Sequence, residues 1–361
     1  MALSLIVGPA GAGKVALLLE RYLDCLRTGA PESEPVLIVP GRSDVERVER
    51  DLLARSSALL GGSIGTFDDV FERVARSGKE ARPLLSDAQR SLVVRRIVGD
   101  ASLNGLGRSA RFAGFADSLA ATLAELEAGL VEPQSLEGDL ARLYAAYRSE
   151  LDRLARWDRD LLRRHAVQRL ESDFEAWSGE PVFAYGFEDL TGAEWALLRA
   201  LAARADVVVS LPYEQGRAAF VSLRPTLDDL SSLADGRITA LTPRFVEVAP
   251  PALAHVERQL FVDDPGDAPA LDGAVRFFEG AGTRATLELV GEEILALVRS
   301  GTPPERIAIV CPTLEHWRAP LETALGALGV PVSIAARPRS RPSRKSTFAR
   351  GTPEYRVRRK P

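Results

Sequence analysis

The chain has 361 residues, of which 46% are hydrophobic, and a net charge of −4; that size supports a substantial core and two or three domains. No run is apolar and long enough to span a bilayer, and the start, "MALSLIV", lacks the basic region of a signal peptide, so a cytoplasmic setting with no membrane partner is expected. Two cysteines, Cys25 and Cys311, are too few for a disulfide framework, a zinc site or an iron–sulfur cluster.

The first predicted element is a strand over Leu3–Val7. It runs into Gly8-Pro9-Ala10-Gly11-Ala12-Gly13-Lys14, which satisfies G-x-x-x-x-G-K between a strand and a helix predicted over Lys14–Arg27. Glycines let such a loop curl so that its N–H groups converge on phosphate oxygens, and the helix N-terminus adds partial positive charge. Lys14 would reach the outer phosphates of a nucleotide. The next residue, Val15, stands where the pattern calls for the Ser or Thr whose hydroxyl holds Mg²⁺. A hard cation takes oxygen ligands, so the loop is expected to grip phosphates while Mg²⁺ loses one protein ligand.

Further continuous apolar runs, Val36–Val39, Ser63–Thr66, Val182–Tyr185 and Val207–Leu211, read as strands buried on both faces of a parallel sheet. Helices over Ser43–Arg55 and Ala193–Ala203 alternate with them. The expected fold class is α/β: a parallel sheet like that of P-loop NTPases and superfamily 1 helicases, formed by residues 1–67 and 180–212.

Residues 68–179 read as a helical insertion. Ser86 and Gln89 form a capping-box pattern, and Phe112, Phe115, Leu119, Leu123, Leu126 and Leu130 recur at helical spacing, as a core stripe. Longer helices are expected near Ser135–Arg156 and Asp158–Trp177. Residues 213–272, rich in Pro, Asp and Gly, read as an irregular connector. Residues 273–336 read as the start of a second helicase-like domain, with strands at "AVRFFEG", "RIAIVCP" and "VPVSI". From Arg337 to Pro361 there are ten Lys or Arg against one acid, Glu354; this basic tail is expected to be disordered. The histidines, His165, His255 and His316, are dispersed and suggest no metal or triad site.

"VFAYGFEDLT" resembles motif II of the UvrD/Rep-like helicases, in which the strand ends in an Asp-Glu pair. Tyr185 and Gly186 stand at those two positions, followed by Phe187, Glu188 and Asp189. Thr66-Phe67 in "SIGTFDDVFERVAR" matches a Thr-Phe pair that touches single-stranded DNA in that family, and an aromatic there can stack a base. The residue-level alternative is that Thr66 caps the next helix and Phe67 packs inside.

Over Leu3 to about Ala336, the ordered set of segments resembles the AddB-type subunit of bacterial AddAB helicase–nucleases. It comprises the glycine loop, "VLIVPGRSDVERVERDLL", "PLLSDAQRSLVVRRI", "DRDLLRRHA", "YGFEDLTGAEWALLRALAARADVVVSLPYE" and "VRFFEGAGTRATLELVGEEILALVRSGTPPERIAIVCPTLE". The resemblance implies a subunit that processes double-strand DNA ends beside an AddA-type helicase subunit, with ATP as candidate nucleotide. It also implies a later nuclease domain of the RecB-like PD-(D/E)XK type with an iron–sulfur cluster. Neither that domain nor its cysteines are found here, so a truncated form without nuclease activity, and with little ATP hydrolysis, is expected. Two other readings stand beside it: a non-enzymatic P-loop-fold scaffold or DNA-binding module, and a P-loop kinase or GTPase using Glu188 or Asp189 near the phosphates.

Overall fold

The computed structural model describes residues 2–28, 34–56, 58–78 and 80–334; the basic tail expected from Arg337 lies outside the described residues. The chain divides into a first unit over Met1–Arg244 and a second that begins at Phe245.

The first unit is built on six parallel strands: β1 (Ala2–Gly8), β2 (Val36–Ile38), β3 (Ser63–Gly65), β4 (Val182–Ala184), β5 (Asp206–Pro212) and β6 (Ile238–Ala240), in the order β3-β2-β4-β5-β1-β6. β1 is therefore interior. It pairs with β5 from Ala2↔Asp206 to Gly8↔Pro212, and with β6 from Leu5↔Ile238 to Val7↔Ala240. Alternation along the strands loads both faces with apolar side chains. Leu3, Leu5, Val7, Val36, Ile38, Val182, Ala184, Val207 and Val209 enter one core. Ile6, Leu37 and Phe183 enter the other.

Helices α1 (Lys14–Thr28) and α2 (Arg42–Leu53) cover the second face through Leu18, Leu19, Tyr22, Val48 and Leu52. The opposite face is covered by α3 (Phe67–Arg76), α7 (Arg159–Ser172), α8 (Gly192–Ala202) and α9 (Arg224–Ala234). Between α3 and α7, the helices α4 (Asp87–Asp100), α5 (Phe115–Ala128) and α6 (Gly138–Arg153) build a separate core around Val94, Leu123, Tyr144, Tyr147 and Leu151. The capping box opens α4 as its sequence requires: the Ser86 N–H donates to Gln89 Oε1 (2.9 Å) and the Gln89 N–H to Ser86 Oγ (3.3 Å). The α5 stripe is shorter than its sequence pattern, since Phe112 precedes the helix and is exposed.

Residues 68–179 thus hold two kinds of helix. The outer two, α3 and α7, belong to the sheet's own layer, and α4–α6 sit on their own core. Buried charge joins the groups: the enclosed Glu127 carboxylate of α5 accepts from Arg148 of α6 (2.7 Å) and Arg164 of α7 (3.0 Å), and Tyr147 donates to Asp158 at the start of α7 (2.6 Å).

The expected connector over 213–272 is corrected by the structure. It contains α9 and β6, and the first unit extends to Arg244. β6 has only "ITA", with two of its three residues exposed, so it carries no apolar run to betray it. As an edge strand it needs only one partner, β1.

The second unit holds α10 (Phe245–Val248), α11 (Pro251–Gln259), α12 (Thr283–Arg299) and α13 (Leu314–Ala327). Leu287 and Ile294 of α12 pack on Leu321, Ala324 and Leu325 of α13. The three strands expected here are corrected too: among the described residues of this unit there is none. β-prone residues become a strand only when a neighbour completes the ladder, and Phe277 and Val310 stand exposed instead.

Candidate functional site

Loops that follow the carboxyl ends of parallel strands share one edge of the sheet, where open α/β sheets bind ligands. The loop after β1 is held from both sides there. The Tyr213 N–H donates to the Gly8 carbonyl (3.0 Å) and the Leu241 N–H to the Val7 carbonyl (2.8 Å), extending both ladders past β5 and β6. A Cβ on Gly8 would stand 3.1 Å from the Ala12 Cβ and from the Leu241 carbonyl oxygen, a tight approach that glycine makes without any shift of its neighbours. Gly11 and Gly13 adopt φ of 70° and 87°, the left-handed region that glycine enters without strain. Pro9 and Ala12 are buried while Ala10, Gly11 and Gly13 are exposed, so the loop shows backbone to the solvent.

α1 begins at Lys14, and its first turn has no acidic residue. The N–H groups of a helix's first turn lack intrahelical partners and carry partial positive charge. The Lys14 ammonium folds back and donates to the Pro9 carbonyl at 2.6 Å. Burial holds its pKa below the ordinary lysine value, with no carboxylate contributing to the shift. Val15 is 37% exposed beside it and offers carbon only.

The carboxyl end of β4 differs. Tyr185 is buried in the same core as Val48 and Leu52, and its hydroxyl meets the Arg47 guanidinium. Gly186 has φ 82°, and a Cβ there would lie 2.8 Å from Pro40 Cγ. Both positions matched to the helicase acid pair are thus occupied by a core aromatic and by a turn that only glycine fits. Glu188 and Asp189 are exposed. Among the described residues neither carboxylate makes a hydrogen bond or ion pair with Lys14, whose ammonium bonds the Pro9 carbonyl, so the structure gives no support to a takeover by these acids.

Thr66 and Phe67 follow β3 on the same edge. The Thr66 N–H and hydroxyl both donate to Asp69 Oδ2, at 2.7 and 2.9 Å, and Arg42 holds Oδ1 at 2.6 Å. The Phe67 ring is 2% exposed and lies 4.7 Å from Phe187, centroid to centroid. In this structure the Phe67 ring packs in the core and Thr66 belongs to the cap of α3, the arrangement of the residue-level alternative. The sequence holds the signal for this, since Thr66-x-x-Asp69 is itself a capping pattern. Sequence reasoning missed the Pro9 carbonyl as the resting partner of Lys14, and Tyr213 and Leu241 as flanks of the loop; these are backbone contacts without a side-chain signature.

The donor set at this edge suits a triphosphate: exposed loop residues Ala10, Gly11 and Gly13, the N-terminus of α1 and the Lys14 ammonium, which has no carboxylate among its partners. Magnesium does not fit it. Val15 and Gly186 have no side-chain oxygen for such an ion, and the Tyr185 hydroxyl is engaged by Arg47.

The family described as "ADDB, N-terminal" matches residues 5–250. The B subunit of the "ATP-dependent helicase/deoxyribonuclease" of Desulforudis audaxviator is 30% identical over 372 residues, covering 92% of this chain and 32% of that protein. Proteins of the same name from Desulforamulus reducens (28%, covering 92% and 32%) and Moorella thermoacetica (29%, covering 93% and 33%) are similar too. The chain spans about a third of the length of these relatives. Among the described residues, no helix is long and apolar enough to cross a membrane. An N-terminal family match over most of the chain, laid on a parallel sheet with a glycine loop after its inner strand, establishes that the chain belongs to the AddB family.

Proposed function

We propose that the first unit is a nucleotide-holding, non-hydrolysing P-loop domain of an AddB-type helicase/deoxyribonuclease subunit. In this reading Gly8, Pro9, Ala10, Gly11, Ala12, Gly13 and Lys14 cradle the phosphates of ATP, and Val15 lies beside them without binding metal. The reading includes an AddA-type helicase subunit as partner and DNA ends as substrate in double-strand break repair; the names of the relatives support it.

The observation that carries the proposal is the contrast at one edge of the sheet. The loop after β1 keeps Lys14 free of acids, while the two positions that follow β4, Tyr185 and Gly186, hold no acid to organise a metal or orient water. On binding, Lys14 exchanges the Pro9 carbonyl for phosphate oxygen, and the anion restores the proton affinity that burial removes. ATP remains unhydrolysed and acts by stabilising the fold and its contacts with the partner.

The test is thermal unfolding of the chain with ATP, in EDTA and in Mg²⁺, beside a phosphate-release assay with DNA. A ligand at a hundredfold excess over its Kd stabilises by about 2.7 kcal/mol. The proposal expects that shift in both buffers, with no phosphate released. No shift in either buffer identifies a scaffold that has lost the nucleotide.

A further inference from the structure

The loop that joins α4 to α5, residues 102–114, is anchored at its base and open to solvent at its tip. The buried Asp139 carboxylate, at the start of α6, accepts the Asn104 N–H (3.0 Å) and the Leu106 N–H (2.8 Å), and Leu103 and Leu106 pack on the core of α4–α6. A single tight helical turn over Ser109–Arg111 follows. It is held by the Ala110 N–H on the Leu106 carbonyl (2.9 Å) and the Phe112 N–H on the Ser109 carbonyl (3.1 Å), and the Phe115 N–H closes on the Phe112 carbonyl (3.0 Å). Side chains three apart line up along such a turn, so Arg108 and Arg111 share one side of it, with Phe112 the next residue. All three are exposed.

Phe112 is 74% exposed, and its ring meets no other ring and no cation among the described residues; the other exposed aromatic of the first unit, Phe174, is covered by the Arg204 guanidinium at 4.7 Å. Arg108 and Arg111 make no side-chain hydrogen bond or ion pair among the described residues, whereas Arg142, Arg148 and Arg153 of the neighbouring α6 are each paired with carboxylates. No acidic residue occurs between Asp100 and Asp117. Free guanidinium groups bind phosphate oxygens in a planar fork, and an exposed ring beside them can stack a base. A duplex keeps its base faces stacked on one another, so the ring favours a single strand. An acidic protein segment would pair with the arginines and leave the ring without a planar partner. We infer that this loop is a contact site for single-stranded DNA, with phosphates on Arg108 and Arg111 and a base on Phe112. The inference rests on the reading that the chain acts on DNA ends, and it adds a site apart from the glycine loop and from Thr66-Phe67.

The test uses the whole chain and a short single-stranded oligodeoxynucleotide carrying iodouracil, which cross-links under light to an aromatic ring stacked on it. Mapping the cross-link by peptide mass separates this loop from the basic stretch Arg337–Pro361. A cross-link is expected in the peptide that holds Phe112, absent in Phe112→Ala and reduced severalfold in Arg108→Ala and in Arg111→Ala. In anisotropy titrations Phe112→Ala is expected to weaken single-strand binding about fivefold or more, with no such loss for a duplex of the same length. Each arginine variant is expected to lower the slope of log K against log salt by about 0.7. Wild-type binding with cross-links only elsewhere, and with affinity and slope unchanged in all three variants, overturns the inference while leaving the reading of a DNA-acting chain standing. Equal sensitivity of single strand and duplex to Phe112→Ala also overturns it. No binding of either DNA by the wild-type chain overturns that reading, and this inference with it.

Discussion

The loop after β1 and the turn after β4 lie on the same edge of one sheet, and they differ in what their sites are made of. The first is a backbone site: its geometry rests on Gly8, Gly11 and Gly13 and on ladder bonds to Tyr213 and Leu241, with one side chain, Lys14, added. The second is a side-chain site in the helicases it resembles, and here Tyr185 has gone into the core while Gly186 has closed against Pro40. A backbone cradle persists as long as the turn does. A metal site made by carboxylates would need acids at two positions that here serve packing.

The strongest way to break this comparison is to restore the acid. Tyr185→Asp removes a buried ring and places a carboxylate among Val48 and Leu52, and it is expected to destabilise the chain by about 3–5 kcal/mol in urea unfolding. Little or no loss would mean that the ring is not core and that the β4 end is still open to chemistry.

Next in size is Lys14→Met, which is expected to abolish the ATP-induced shift of about 2.7 kcal/mol at a hundredfold excess. The unliganded stability should change by no more than about 1 kcal/mol, since one hydrogen bond is lost and one partly buried charge is relieved. The pH dependence follows from the same residue. The folded-state pKa of Lys14 is lowered, so the folded chain binds fewer protons than the unfolded chain as pH rises towards 10.5. Lys14 therefore opposes folding at neutral pH, and its penalty fades across that interval. ATP affinity, measured by titration calorimetry, falls over the same interval as the ammonium deprotonates. In Lys14→Met both trends attributable to this residue disappear.

Gly186→Ala is expected to destabilise by about 1–3 kcal/mol, from the left-handed φ and the approach to Pro40 together. A neutral result would show that the turn can admit a side chain. The smallest effect belongs to Val15→Thr, at a half-open position. It is expected to leave stability within about 0.5 kcal/mol and to let Mg²⁺ tighten ATP binding by a few fold, without turnover, because the β4 end still lacks its acid.

Much of this is legible in the sequence. Four strands read as continuous apolar runs, as strands covered on both faces do; the short β3, Ser63-Ile64-Gly65, is also among the expected strands although its first residue is exposed, and the glycine spacing places the loop. β6 was not readable, because a three-residue edge strand buries too little to need hydrophobic residues. "AVRFFEG" and "RIAIVCP" misled in the opposite direction: composition sets β-propensity, but pairing decides whether a strand exists. At the site, Val15, Tyr185 and Gly186 were visible as departures from a pattern. That Tyr185 packs into the core, and that Phe67 is buried against Phe187, depends on tertiary contacts between segments more than a hundred residues apart.

The central claim is that phosphate binding and metal chemistry have separated on this sheet edge. It is tested most directly by calorimetric titration of the wild-type chain with ATP, in EDTA and then in Mg²⁺, with released phosphate measured in the same samples. The account predicts the same Kd in both buffers and no phosphate. Binding that appears only with Mg²⁺, together with DNA-stimulated phosphate release that Lys14→Met abolishes, would contradict it.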